Sequence, residues 1–225
     1  MSSTDKLFEK QGRHVVLLAL LVAAVAVISR GEEFRAGSYQ GISTTRWLWF
    51  SIAIPIIHQI WVVVCWRLEL HHEWLSRHMG EWGFRIYAVV FAVLFVGRIY
   101  PIIGVSIANQ GSLEVDQRIL DAISLVIAVL AIYLFYSVAR YFSFRRALGI
   151  DHFDPSYRDK PFVRQGIFRF TRNGMYTFGI AVVWLPGLLY ASKAGLLAAA
   201  FSHLYIWVHY FCTEIPDMRR IYGDG

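Results

Sequence analysis

Long apolar segments alternate with short polar ones along this chain. Six apolar segments stand out, and they cover 14–29, 46–66, 84–105, 119–139, 175–190 and 194–212. A helix of about 20 residues crosses the apolar part of a bilayer, and most of these segments approach that length. The pattern predicts an all-α fold, a polytopic transmembrane helical bundle of about six spans.

The last two apolar segments are predicted to form a short helical hairpin. Segment 175–190 is shorter than a full span, and only residues 191–193 separate it from the sixth segment. Pro186 lies inside the fifth segment and is expected to kink its helix, because proline removes a backbone hydrogen bond.

The composition agrees with a membrane protein. Hydrophobic residues make up 56% of the 225 residues, compared with about 45–50% in soluble domains. The formal net charge of +6 is explained by basic cytoplasmic loops, so we expect no nucleic acid partner. Cys65 and Cys212 lie in apolar segments and are expected to be core residues. No signal-peptide cleavage pattern is present, so the first segment is expected to remain as a span.

The distribution of basic residues predicts an orientation. If the N-terminus is cytoplasmic, the cytoplasmic segments hold 16 of the 22 Lys and Arg residues, and the outer loops hold five. The positive-inside rule therefore predicts cytoplasmic N- and C-termini, in the inner membrane if the source is bacterial, with 106–118 outside. Segments 140–174 and 213–225 would then share the cytoplasmic face.

The polar stretch ahead of the fifth segment is a candidate anion site. It reads RQGIFRFTRNGMYTFG over 164–179, and its arginines could also serve as anchors for lipid phosphates. A helix that starts near 173–175 leaves its first N–H groups unpaired, and these favour an anion. Arg172 precedes them and can form a bidentate hydrogen bond to a carboxylate.

Polar and aromatic residues recur along the sixth segment at helical spacing. His203, Trp207, Tyr210 and Glu214 follow one another at intervals of four, three and four residues, which places them on one stripe. The stripe could serve packing and interhelical hydrogen bonding. Alternatively, Glu214 at its end could face the anion site, and the two together could bind a zwitterion.

Two short motifs resemble those of the phospholipid and isoprenylcysteine carboxyl methyltransferase superfamily. The first, GIFRFTRNGMY at 166–176, is similar to a glycine–aromatic–arginine pattern followed by Arg-His-Pro-x-Tyr, with Arg172 and Tyr176 at matching positions. The second, TEIPDMRRIYG at 213–223, is similar to Glu-Glu-x-x-Leu followed by Phe/Tyr-Gly. Its matching residues are Glu214, Met218, Tyr222 and Gly223. The resemblance covers about residues 160–225, and the first four spans match only in being apolar.

The chain also departs from the family pattern. Asn173 stands where the family has His, Gly174 where it has Pro, and Ile215 where it has a second Glu. Asn173 can donate and accept hydrogen bonds but cannot titrate. Gly174 lacks the preset φ that proline brings to a helix start. These differences concern the substrate and the cofactor contacts more than the class of reaction.

The resemblance implies a membrane methyltransferase that uses S-adenosyl-L-methionine and needs no metal. Its substrate would be a lipophilic or membrane-embedded acceptor, such as a phospholipid amine, a thiol or a carboxylate. Residues 1–139 would form transmembrane helices on the substrate side. Residues 140–225 would form the cofactor-binding half, with a basic loop, the hairpin and the C-terminal motif.

The resemblance and the helical stripe together give the candidate site residues. Arg172, for the donor carboxylate, and Glu214, for the acceptor or the donor's ammonium or ribose, are the catalytic candidates. The candidates for cofactor binding are Gly166, Arg172, Asn173, Gly174, Tyr176, His209, Tyr210 and Glu214. The candidates for substrate binding are His58, His203 and Trp207.

Two further charged or polar features have alternative interpretations. His71, His72 and His78 lie in a predicted interfacial loop and lack the spacing of a two-histidine zinc helix, so a metal is not expected. Arg98 lies inside the third span, where a charge is costly. It could extend toward the outer surface, and Asp121 is its expected ion-pair partner.

Two other functional classes remain as alternatives. A steroid 5-alpha-reductase-type enzyme that uses NADPH would share a plan of membrane helices with a C-terminal cofactor half. Its Asn-Tyr-x-Gly segment is loosely similar to NGMYTFG here. A non-enzymatic membrane subunit is the third possibility, and binding of S-adenosylmethionine or of NADPH would separate the three.

Overall fold

The computed structural model describes residues 7–161, 163–171 and 173–223. Its α-helices are α1 Gln11–Ile28, α2 Thr44–His72, α3 Trp74–Met79, α4 Glu81–Gly97, α5 Ile99–Ala108, α6 Gln117–Ser137, α7 Phe144–Ala147, α8 Leu185–Leu189, α9 Lys193–His209 and α10 Ile215–Tyr222. Short 3₁₀ helices cover Glu32–Phe34, Ile150–His152, Pro155–Tyr157, Gly166–Arg169 and Ile180–Trp184, and π-helical turns cover Val138–Phe142, Met175–Gly179 and Tyr210–Glu214. Strands β1 Ser38–Tyr39 and β2 Ile42–Ser43 form a small antiparallel hairpin.

Five helical stretches are long and apolar enough to cross a membrane. They are Gln11–Ile28, Thr44–His72, Glu81–Ala108, Gln117–Phe142 and Lys193–Tyr222, and a shorter apolar stretch covers Met175–Leu189. These correspond in order to the six predicted segments, and the fifth is the short one, as predicted. The all-α, polytopic helical fold of a multi-pass membrane protein is therefore confirmed.

Side-chain caps start three of the long helices. Ser43 accepts a hydrogen bond from the Arg46 backbone N–H ahead of α2, and Ser192 accepts one from Gly195 ahead of α9, at 3.0 Å. Asp116 caps α6 in the same way. Each cap satisfies an N–H group that has no partner inside its helix.

The histidine-rich segment after the second span is helical, so the predicted loop is wrong. Helix α2 continues through His71 and His72, and His78 lies in α3. The buried Glu69 carboxylate accepts hydrogen bonds from the backbone N–H groups of Leu75 and Ser76, at 2.9 and 3.1 Å. A glutamate from one helix therefore caps the start of the next, which hydropathy alone does not reveal.

The fifth apolar segment is a helix of changing type. It passes from a π-helical turn at Met175–Gly179 through a 3₁₀ helix at Ile180–Trp184 into α8. Pro186 lies in the first turn of α8, where its missing N–H costs nothing. The departure from regular α-helix therefore precedes Pro186. At Gly179 a Cβ atom would lie 2.6 Å from Leu134 of α6, so a small residue is needed at this close approach.

Small residues allow the central helices α2, α5 and α9 to pack closely. A Cβ atom on Gly104 of α5 would lie 2.6 Å from the Trp47 ring of α2, and one on Gly195 of α9 would lie 2.2 Å from Ser106 Oγ of α5. Ala198, also on α9, is completely buried. Close backbone approach of this kind is typical of helices packed in membranes.

The polar connections gather at two opposite ends of the bundle. At one end Asn109 links two loops: its side-chain amide donates to the Glu33 carbonyl at 3.0 Å, and its side-chain oxygen accepts from the Ala194 N–H at 2.9 Å. At the other end Tyr222 donates to Asp151 at 2.6 Å and Gln11 donates to Thr213 at 3.2 Å. We call the latter the motif end.

The prediction that both polar motif segments share one end of the bundle is confirmed by contacts between them. Asn173 and Tyr176 of the first segment contact Tyr210 and Glu214, which lead into the second. The charge pattern predicts that this end is cytoplasmic.

Candidate functional site

Two side-chain hydrogen bonds join the first motif to the end of the sixth segment. The Tyr176 hydroxyl donates to the Glu214 carboxylate. One helical turn away on each side, the Tyr210 hydroxyl donates to Asn173 Oδ1 at 3.1 Å. We call these four residues the tyrosine–glutamate centre. All four are half-buried, so their polar groups lie close to the surface of the motif end.

Aromatic rings form a wall beside this centre. The Tyr176 ring lies 5.0 Å from the Tyr210 ring and 5.9 Å from the Trp207 ring, measured between centroids. Trp207 and Tyr210 meet edge to face at 5.4 Å. Three ring faces next to a carboxylate can hold a cationic group through its charge and through cation–π contact.

A π-helical turn between α9 and α10 carries Tyr210 and Glu214. A regular helix would place Glu214 one turn beyond Tyr210, and the wider turn still leaves both side chains facing the first motif, as their contacts show. The predicted stripe is therefore present from Trp207 to Glu214. The π-turn at Met175–Gly179 carries Tyr176, so both partners of the Tyr176–Glu214 hydrogen bond lie on π-turns. Such turns occur often at functional sites.

The structure does not test Arg172, since this residue lies outside the described residues. It immediately precedes Asn173, which is part of the centre. Gly174 has a helical φ of −53°, and a Cβ atom there would lie 3.2 Å from Leu134. The space at Gly174 is therefore limited by α6 packing.

Four of the predicted site residues lie elsewhere in the structure. Gly166 packs against Ser137 and Tyr141 of the fourth span, and a Cβ atom on it would lie 2.5 Å from Ser137 Oγ. His203 accepts a hydrogen bond from Trp184 Nε1 at 2.9 Å. The stripe therefore divides, and its first member packs against the fifth segment.

His209 and His58 are both buried, at 2% exposure. The His209 ring contacts the rings of His14 and Trp66, at 6.1 and 5.6 Å between centroids. His58 packs edge-on against Phe91 at 4.4 Å. Both histidines therefore lie among aromatic rings in the interior of the bundle, away from the tyrosine–glutamate centre.

A buried charge cluster beneath α10 was not predicted from the sequence. Asp217, which is fully buried, forms an ion pair with Arg67 Nε at 3.1 Å and lies 3.5 Å from His152 Nε2. The His152 ring stacks on Trp66 at 4.1 Å. Asp217 comes three residues after Glu214 and lies in α10. Its ion pair with Arg67 therefore anchors the short helix that directly follows the candidate site. In the sequence, the cluster was visible only as a carboxylate, Asp217, within the second motif.

Tyr222, a residue of the second motif, has a structural contact at the end of α10. It donates to Asp151 at 2.6 Å, and Arg146 donates to the Tyr222 hydroxyl at 3.4 Å. Arg146 also donates to the backbone carbonyls of Pro161 and Lys160, at 3.1 and 3.2 Å. The second motif is thereby tied to the basic loop that leads into the first.

The expected pairing of Arg98 with Asp121 is wrong. Arg98 is 1% exposed, and none of its three guanidinium nitrogens has a hydrogen-bond partner among the residues that the structure describes. Asp121 is exposed and accepts a hydrogen bond from Gln117 at 2.8 Å. Arg98 ends α4 on the face turned toward the bundle, so it neither reaches α6 nor extends to the surface.

Comparisons with known proteins point to one family. Residues 120–225 match the phospholipid methyltransferase family. A phosphatidylethanolamine N-methyltransferase of the fungus Malassezia globosa is 38% identical over 58 residues, which is 26% of this chain and 6% of the length of that relative. No solved structure matches significantly. The family match includes both motifs and the tyrosine–glutamate centre, and it confirms the resemblance of this part of the chain to the phospholipid methyltransferase family.

Proposed function

We propose that this protein transfers a methyl group from S-adenosylmethionine to the amine of a phospholipid headgroup. The observation that carries the proposal is the contact between Tyr176 and Glu214, because it joins the two family motifs into one half-buried polar centre. The family match of residues 120–225 and the name of the fungal relative support the reaction and the substrate class.

Glu214 is assigned to the positive groups of the reactants. A carboxylate has about four lone-pair positions, and Tyr176 occupies one of them. The remaining positions can accept hydrogen bonds from an ammonium group or hydroxyls. The rings of Tyr176, Trp207 and Tyr210 would surround a methylated ammonium with aromatic faces, which attract such cations.

Arg172 and Asn173 are assigned to the donor. Arg172 would hold the cofactor carboxylate by a bidentate hydrogen bond, and Asn173, whose side chain is already oriented by Tyr210, would hold a polar group next to it. When bound, S-adenosylmethionine supplies an electrophilic methyl group on a sulfonium, and its transfer to nitrogen leaves a thioether and releases one proton. The chain's contribution is to align the amine and exclude water.

The acceptor is proposed to enter from the lipid phase. Residues 1–139 would form the substrate side and 140–225 the cofactor-binding half. Of the substrate candidates, Trp207 borders the centre, and His58 and His203 lie away from it. Access from the bilayer is consistent with the position of the centre at one end of the bundle.

Methyl transfer can be tested with the purified protein in nanodiscs that contain phosphatidylethanolamine. We expect label from methyl-labelled S-adenosylmethionine to enter the lipid. Glu214→Gln should lower the rate by roughly 100-fold, the lower range for a positioned group in catalysis. The exposed Glu81→Gln is the matched control and should leave it unchanged. If the protein binds NADPH and no label enters the lipid, the reductase alternative is favoured. If it binds neither S-adenosylmethionine nor NADPH, a non-enzymatic membrane subunit is favoured.

We further propose that the motif end faces the cytoplasm, as the excess of basic residues there suggests. The two native cysteines are buried, so introduced cysteines can report the sidedness. A membrane-impermeant reagent applied from outside should label Glu114→Cys and should not label Asp159→Cys. The opposite result would reverse the orientation and leave the assignment of the centre untouched.

A further inference from the structure

A basic basin lies beside the candidate site and takes no part in the proposed reaction. It has a volume of about 730 Å³ and is lined by Arg140, Tyr141, Arg164, Gln165, Gly166 and Arg169. None of these residues is acidic, and none of the three arginines forms an ion pair with another described residue. We call this pocket the arginine basin.

The basin is held in place by the fold. Gly166 has a left-handed φ of +60°, and a Cβ atom there would lie 2.5 Å from Ser137 Oγ. The next residue, Ile167, donates its N–H to Ser137 Oγ at 3.0 Å. Ile167 and Phe168 are buried in the hydrophobic cluster around Leu134. The loop is therefore fixed to the end of the fourth span, with Arg164 and Arg169 exposed on either side of it.

The position of the basin points to the headgroup region of the bilayer. Arg140 and Tyr141 belong to the last turn of the apolar stretch Gln117–Phe142, which is where a span leaves the hydrocarbon. Phe170, next to Arg169, is 77% exposed. Aromatic side chains beside cations at the end of a span are typical of contact with lipid headgroups.

The positive charge of the basin favours anionic over zwitterionic lipid headgroups. Three arginines that form no ion pair within the described part of the chain favour a phosphate group, which guanidinium binds by paired hydrogen bonds. A zwitterionic headgroup would bring its own ammonium into this basic surrounding, so a headgroup with net negative charge fits better.

We propose that the arginine basin binds the headgroup of an anionic phospholipid, as a site separate from that of the methyl acceptor. The loop that lines the basin continues directly into Asn173 and Tyr176. A headgroup bound in the basin would thus restrain the segment that carries the first motif. The inference stands on the geometry and charge of the basin and does not depend on methyl transfer.

Lipid retention by the purified protein tests the proposal. Native mass spectrometry of the protein, solubilised from membranes of equal phosphatidylglycerol and phosphatidylcholine content, counts the retained lipids. Wild type should retain phosphatidylglycerol about tenfold over phosphatidylcholine, because clustered arginines at the membrane surface attract anionic headgroups. The double variant Arg164→Gln/Arg169→Gln should lose most of this preference.

The matched control is Arg77→Gln/Arg85→Gln, which removes the same charge from arginines that are already paired with Glu73 and Glu81. It should retain the wild-type preference, and an equal loss in both doubles would overturn the proposal in favour of diffuse surface charge. Arg140→Gln, on the span itself, is a second variant should the loop double fail to fold. If inorganic phosphate displaces phosphatidylglycerol completely, the basin binds free phosphate and the proposal of a lipid ligand is wrong. If wild type retains phosphatidylglycerol and phosphatidylcholine equally, the proposal of an anionic lipid site is wrong.

Discussion

Two arginines of this protein are buried to nearly the same degree and differ in whether another side chain pairs with them. Arg67 is 2% exposed and Arg98 is 1% exposed. Arg67, near the motif end of α2, forms an ion pair with Asp217 of α10. Arg98, between α4 and α5, has no hydrogen-bond partner on its guanidinium among the described residues. Arg67 is thus a buried charge whose ion pair links two distant parts of the chain, whereas Arg98 is a buried charge that makes no such link to any described residue.

The difference follows from where each arginine lies along its helix. Near the end of a span, polar chain segments are close by and can supply a carboxylate, and Asp217 does so from the far end of the sequence. In the interior, the neighbours of a helix are other apolar helices. A charge there is costly, and its cost is met by the packing of the whole bundle rather than by a local contact.

The largest expected effect comes from breaking the Arg67–Asp217 pair. Arg67→Met leaves the buried carboxylate of Asp217 without its ion-pair partner, with His152 Nε2 at 3.5 Å, and we expect a loss of about 3–5 kcal/mol in the free energy of unfolding. Reversible denaturation in detergent measures it.

The control for Arg67→Met is the double variant Arg67→Met/Asp217→Leu, which removes both charges. It should recover most of the lost stability, because well-packed apolar residues often replace a buried pair at little cost. If the double variant is as unstable as the single one, the pair does not hold α10 and packing of the arginine stem is responsible.

The corresponding change at Arg98 should have the opposite sign. Arg98→Met removes a buried charge that has no hydrogen-bond partner among the described residues and keeps most of the side-chain volume, so we expect the protein to gain about 1–3 kcal/mol. Thermal unfolding followed by circular dichroism in the same detergent would show a higher midpoint than that of wild type. A drop in the midpoint would mean that Arg98 has a stabilising partner in solution.

The smallest effect is expected between Arg98 and Asp121. Because the two side chains are not paired and Asp121 is bonded to Gln117, a double-mutant cycle of Arg98→Met and Asp121→Asn should show coupling below about 0.5 kcal/mol. Coupling of 1 kcal/mol or more would restore the ion pair expected from the sequence.

Several features of the fold could be predicted from hydrophobicity alone. The order of the six apolar segments, and the short fifth one, follow directly from runs of apolar residues, because the bilayer requires a minimum length of them. The ends of the helices could not be predicted as well. Glu69 extends the helical region past His72 by capping α3, and such a contact depends on a turn that hydropathy does not describe.

The candidate site was predicted in part for a similar reason. Family motifs and helical spacing brought Tyr176 and Glu214 to the same end of the bundle, and the structure pairs them directly. Spacing did not separate Tyr210 from His209, which are neighbours in sequence. In the structure Tyr210 contacts Asn173, whereas His209 lies with His14 and Trp66 inside the bundle.

The sequence by itself determined that this is a helical membrane protein, that its polar motif segments meet at one end, and that residues 160–225 resemble the phospholipid methyltransferase superfamily. These follow from local properties, namely apolar length and residue identity in short motifs. Only the tertiary structure decided which charges are paired. Ion pairs such as Arg67–Asp217 join residues 150 positions apart, and the rotation of each helix about its axis, set by packing of small and large side chains, determines whether a buried charge such as Arg98 meets a partner.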